Sequence, residues 1–194
     1  MNSQNANIFL AIQQRIESLV DSSNSNKRYF ATIDMDLQQL NFDQPPIKFP
    51  ASLIGGFNFD YKHGGQLARF GSGQITVKTC FTPYSSSSNL TPQQYREKAL
   101  NYFNLDQIIY LSLHGWKPEY IVDGVDQLAN VTGHLMCVSE RRLPRNDDII
   151  VTEQTFMLGK DDYSAKPVKG LVPRPEVKVI TDGEHAEEFG NEYN

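Results

Sequence analysis

Asp34 and Asp36, in the segment IDMD, are the first groups along this chain whose type and spacing could do chemistry. On an extended backbone they share a face, as a paired-carboxylate site for a cation or for general acid–base work requires. Such a site also needs further ligands converging on the pair. No neighbouring residues supply them, so the pair reads as the solvent face of an outer strand. The four histidines, His63, His114, His134 and His185, show no metal-ligand spacing among themselves or with Cys80 and Cys137. His114 falls where a helix should end, a place that suits a cation, and His134 reads as a hydrogen-bonded structural group flanked by core-like strand residues. Gly55-Gly56 and Gly64-Gly65 lack the strand-to-helix context of a phosphate loop or dinucleotide fingerprint. No serine sits in a nucleophile elbow, and neither cysteine has neighbours that would activate it. The residues therefore predict no catalytic, cofactor-binding or metal-binding set.

Arg141, Arg142 and Arg145, beside Glu140, form the one compact basic cluster. They are expected at a hairpin tip, either solvated or meeting an acidic partner surface. A net charge of -5 argues against nucleic acid as the main partner, since duplex binding needs a cationic face. Hydrophobic content of 39% and aromatic content of 11% suit a soluble globular chain. No apolar run approaches the roughly 20 residues of a membrane span, and the first residues lack the basic and small-residue pattern of a signal peptide. The two cysteines are expected as buried, reduced thiols of a cytosolic protein, and the sequons at Asn89 and Asn130 as chance matches.

The elements that must position these residues follow from periodicity. Ile8, Ile12, Ile16 and Leu19 recur at helical spacing, with Asn5 or Asn7 as the expected cap. From Tyr29 to Leu37 the chain alternates, placing Tyr29, Ala31, Ile33, Met35 and Leu37 on the buried side of a strand. Pro45, Pro46 and Pro50 make a corner, and a second strand runs from Ala51 to Tyr61. A third covers Gln66 to Phe81, with a bulge or bend expected at Gly71 and Gly73. Three strands with short turns predict an antiparallel meander. Thr91-Pro92-Gln93-Gln94 has the grammar of a capping box, and Asn104 to Gln107 reads as a second cap before a helix stopped by Gly115. Two further strands, 129–143 and 148–158, are expected as a hairpin.

The fold expected is α+β: a mainly antiparallel, twisted sheet of about five strands with helices packed on one face, spanning residues 1–158. Residues 159–194, with three prolines and an acidic end, read as an extended arm without a core of its own. Within the arm only 175–181, PEVKVIT, alternates like a strand, and Val177 and Val179 are the side chains expected to enter a neighbour's groove. The stretch from Tyr61 to Gly73, with Tyr61, Lys62 and His63, and the serine-rich connector from Pro83 to Leu90, with Ser85 and Ser86, read as loops that meet neighbouring subunits.

Several segments together resemble small structural proteins of tailed bacteriophages, of the tail-terminator or tail-completion type, in the versions carried by phages and prophages of Bacteroides-like bacteria. These are IDMDLQQL after the first helix, PPIKFPASLIGGFNFDY, ALNYFNLDQIIYLSLHGW, and ERRL with DDIIVTEQTFML as a closing hairpin. The resemblance covers roughly residues 5–158 and lies in the order of elements. It implies a virion protein without enzymatic activity or cofactor, assembled in the host cytoplasm as a ring, commonly a hexamer. That ring would join the tail tube protein to the head connector at the head–tail junction, with no membrane and no sequence-specific nucleic acid as partner. Two alternatives stay open: another head–tail connector or ring adaptor, and a cytosolic enzyme or ligand-binding module with a site built from distant residues.

Overall fold

The computed structural model describes residues 3–21, 24–64, 68–83, 85–145 and 148–163. In chain order the elements are α1 (Gln4–Glu17), β1 (Val20–Asp21), β2 (Asn24–Arg28), β3 (Thr32–Met35), a 3-10 turn (Gln39–Asn41), β4 (Ala51–His63), β5 (Arg69–Phe81), α2 (Gln93–Ala99), α3 (Asn101–Leu113), β6 (Ile121–Val122), β7 (Val125–Asp126), β8 (Met136–Leu143) and β9 (Ile150–Asp162). Five strands form the main sheet in the order β3-β4-β5-β9-β8, and all its pairs but one are antiparallel. The fold is α+β with a mixed, mostly antiparallel sheet. Among the described residues no helix is long and apolar enough to cross a membrane.

The exception corrects the expected meander: β3 runs parallel to β4, pairing Thr32 with Ala51 through Met35 with Ile54. A parallel pair needs a connection that carries the chain back to its starting end, and residues 36–50 do so. Leu40, Ile47 and Phe49 of that connection pack on Ala51, Leu53, Cys80 and Val151 as a second, smaller core. The strand expected across 29–37 is shorter than its alternation. Phe30 is buried, the chain bends at Ala31, and Met35 and Leu37 face solvent. An edge strand of four residues has little above it to bury them.

The main core joins Ile8, Ile12 and Ile16 of α1 and Leu105, Ile109 and Leu113 of α3 to Ile54, Ile75, Val77, Phe156 and Leu158 of the sheet. Burying such side chains contributes about 1.5–3 kcal/mol each. Three helix starts differ from expectation. Ser3 caps α1, its hydroxyl accepting from the Ala6 amide at 3.2 Å. Pro92, which has no side-chain donor or acceptor, occupies the N-cap of α2 in place of Thr91. Asn104 lies inside α3 and donates to Asn101 at 3.1 Å. Gly115 follows α3 with φ +77, as a stop requires.

β4 and β5 are one long hairpin, so Tyr61–His63 and Arg69–Gly73 are strand rather than loop. The bulge lies between Gly55 and Asn58, where Gly56 has φ +63, and β5 pairs with β9 without a break through Gly71 and Gly73. Those two glycines instead make room for rings: a Cβ on Gly71 would meet Tyr61, and one on Gly73 would meet Phe59. Between α3 and β8, residues 121–126 form a small hairpin. Asp123 and Gly124 both take positive φ, the geometry of a two-residue turn. β9 continues to Asp162, past the boundary expected at 158.

Candidate functional site

α3 carries an acid on its buried side. Asp106 is 4% exposed, between Leu105 and Ile109. Beneath it the sheet presents a polar row rather than an apolar one. Thr79, Thr152 and Arg142 are successive register partners across β5, β9 and β8, and Gln154 pairs with Glu140 in the next row. Gln154 Nε2 donates to the Asp106 carbonyl at 3.0 Å and to Glu140 Oε2 at 2.7 Å. Arg142 donates to the Tyr102 hydroxyl at 3.2 Å, its guanidinium 5.1 Å from that ring's centre. Tyr102, Phe103, Asp106, Glu140, Arg142 and Thr152 are among the residues lining a cavity of about 150 Å³ at the mouth of this inset.

Burial pushes the Asp106 carboxyl up to about 6 from its ordinary 3.8, and the nearby Glu140 carboxylate adds to the rise. The Thr152 and Thr79 hydroxyls and the Arg142 charge oppose it. Gln154 Oε1 is buried without a hydrogen-bond partner among the described residues, which is costly for a polar atom in a dry setting. Chemically the inset offers a carboxyl able to gain or lose a proton near neutrality. Its mouth also offers an acid and a guanidinium to a small polar guest, and among the described residues the lining holds no histidine, cysteine or lysine. Among the described residues no group of three or more His, Cys, Asp or Glu is gathered as a metal site would be.

Asp106 was missed because it was read as part of a cap. An acid placed four residues after Tyr102 and three before Ile109, on a face otherwise apolar, is the signal that finds it. Lys160 was missed too. It is 3% exposed, its ammonium lies 4.0 Å from the Phe59 ring centre, and it donates to Asn5 Oδ1. Only its place in a strand beyond the expected boundary pointed to it.

The residues expected to act fall in separate places. Arg141, Arg142 and Arg145 are not a free tip. Arg141 grips Glu153 Oε1 from Nε at 2.9 Å and Nη2 at 2.7 Å, and Arg145 donates to the Leu40 carbonyl at 2.8 Å. Arg142 shares a hollow of about 240 Å³ with Ser85 and Ser86, and the Ser85 hydroxyl donates to the Tyr95 carbonyl. Tyr61, Lys62 and His63 lie at the far end of the sheet. There the Arg69 guanidinium sits 4.4 Å from the Tyr61 ring centre, and Lys62 and His63 are exposed. Val177 and Val179 lie outside the described residues.

Asp34 and Asp36 do not act as a pair: Asp34 accepts from the Met35 amide, while Asp36 forms an ion pair with Lys78. His134 is exposed in a loop rather than held in a strand, and His114 Nδ1 accepts from the Cys137 amide at 3.1 Å. Both cysteines are free thiols. Cys80 is buried, and burial pushes it up to about 12, while Cys137 is only partly buried.

No protein-family model matches the chain, and no curated protein matches it.

Proposed function

We propose that the chain is a structural virion subunit of a tailed phage, a tail-terminator or tail-completion protein that works by assembling into a closed ring between tail tube and head connector. The observation that carries this reading is the pair of unlike sheet edges. In the connection that follows edge strand β3, Leu37 and Phe42 are 67% and 62% exposed, and on the β8 edge Met136 and Val138 are 47% and 55% exposed. Large apolar side chains left in water at a sheet edge mark contact surfaces. Two different patches on opposite edges suit head-to-tail contacts, the kind that closes rings. Native mass spectrometry and negative-stain microscopy of the full chain test it. A closed ring of about six copies is expected, and a strict monomer at high micromolar concentration counts against it.

A second reading, a ligand-binding module, is favoured by the cavity at Asp106 alone. Screening small amines and guanidines by thermal shift separates the two: a shift that Asp106→Asn abolishes, in a chain that stays monomeric, selects it.

A further inference from the structure

Ile75, Val77, Phe156 and Leu158 point into the main core, so alternate residues of β5 and β9 point out of the other face of the sheet. Register arranges that face in rows: Asn58, Gln74 and Met157 in one, Asp60, Ser72 and Gly159 in the next, Lys62, Phe70 and Asp161 in the third. The middle row is low, since Ser72 is small and Gly159 has no side chain. The flanking rows stand about 14 Å apart along the strands. Between them lies a trough of about 500 Å³, with Asn58, Asp60, Lys62, Phe70, Ser72 and Gln74 among its lining residues. That volume lies within the range of small-molecule sites. We infer that the trough binds a neutral saccharide.

The chemistry of the lining selects that class. It holds one carboxylate, one ammonium, two amides and a hydroxyl, so its formal charges cancel. Asp161 of the third row is turned to the Tyr163 hydroxyl instead. An anionic ligand would meet Asp60, and a cationic one Lys62. A sugar ring carries hydroxyls that each donate and accept, and it uses both kinds of partner without asking for net charge. Its C–H face needs an apolar platform, and Phe70, 44% exposed, offers one whose π face carries partial negative charge.

Two further observations support it. Elsewhere on this face the charged side chains are paired, Lys78 with Asp36 and Arg141 with Glu153. In the trough Asp60 and Lys62 form no ion pair, and Asn58, Ser72 and Gln74 make no side-chain hydrogen bond, among the described residues. All five are exposed and keep their donors and acceptors for a guest. The floor is also firm. Gly71 and Gly73 line the trough with backbone, while on the core side they seat the Tyr61 and Phe59 rings, against which the buried Lys160 ammonium packs. Polar groups held on a rigid floor lose little freedom when a ligand arrives.

Saturation-transfer difference NMR on the full chain tests the site, with cellobiose, maltose and N,N′-diacetylchitobiose as probes. At least one should receive saturation on its ring C–H protons, with a Kd in the millimolar range that suits so open a site. Asp60→Ala should weaken that binding about tenfold or more. Phe70→Leu keeps an apolar side chain but removes the ring face, and should weaken binding and lower the C–H signal. Circular dichroism checks the fold of both, and Gln74→Ala, at an exposed position, repeats the test should either lose it. No transfer to any of the three sugars overturns the inference, as does binding undiminished in the folded variants. Binding lost in Asp106→Asn places the sugar in the cavity under α3 and overturns it too. Saturation transfer is read equally from a monomer or a ring, so the proposed function stands or falls separately.

Discussion

At the scale of single residues, Asp106 concentrates the tension in this molecule. Its carboxyl keeps its proton up to about pH 6 in the native state, whereas the unfolded chain loses it near 3.8. Between those values the native state binds more protons, so stability falls as pH rises through the window and stays low above it. Asp106→Asn removes that dependence. It should raise stability at pH 7.5 by about 1–3 kcal/mol and change little at pH 4, as read by denaturant unfolding at the two values. An unchanged difference between the two pH values would place the titrating group elsewhere. Gly73 works by the opposite logic, through what is missing. A Cβ there would lie 2.2 Å from the Asn58 carbonyl oxygen and 2.5 Å from the Phe59 ring. Gly73→Ala should therefore cost about 1–3 kcal/mol and lower the melting temperature, although alanine normally favours a strand over glycine.

At the scale of elements, α3 ties the helical part of the core to three strands, so its apolar stripe carries much of the fold. Ile109→Ala should cost about 2–5 kcal/mol by the cavity it leaves, measurable as a lower denaturant midpoint at unchanged slope. The stripe of α1 and the closing hairpin of β8 and β9 were legible in the sequence, because a strong 3.6 or 2.0 period and a polar turn speak for themselves. The partner of β3 was not legible. Alternation tells which side chains share a face but is silent on strand direction, and the direction was set by the apolar residues Leu40, Ile47 and Phe49 inside a segment read as a corner. Gly71 and Gly73 were visible as exceptions, yet whether a strand glycine bends the chain or seats a ring depends on the opposite strand. The polar inset escaped for a similar reason: Thr79, Arg142 and Thr152 come from three different strands and meet only through register. The arginines form one cluster in sequence and were expected together at a hairpin tip, whereas Arg141 and Arg142 lie within β8 and Arg141 is held by Glu153 of the neighbouring strand.

At the scale of the whole molecule, the ring reading makes a demand that a symmetric dimer does not. In a head-to-tail assembly the β3 edge of one copy meets the β8 edge of the next, so each copy uses two different surfaces. Phe42→Asp spoils the first surface and leaves Val138 intact, and Val138→Asp does the reverse. A charge placed in a desolvated contact costs several kcal/mol, so each variant alone should be monomeric where the unaltered chain forms rings. Mixed in equal amounts, the two variants retain one good surface each, and these are complementary. They should form a single heterodimer that cannot grow, because its outward edges are both spoiled. Native mass spectrometry distinguishes the cases by stoichiometry. A self-complementary contact across either edge alone predicts instead that one variant dimerises by itself and the mixture adds nothing. Both side chains are well exposed, so neither substitution should disturb the fold, and circular dichroism of each variant checks that before assembly is measured.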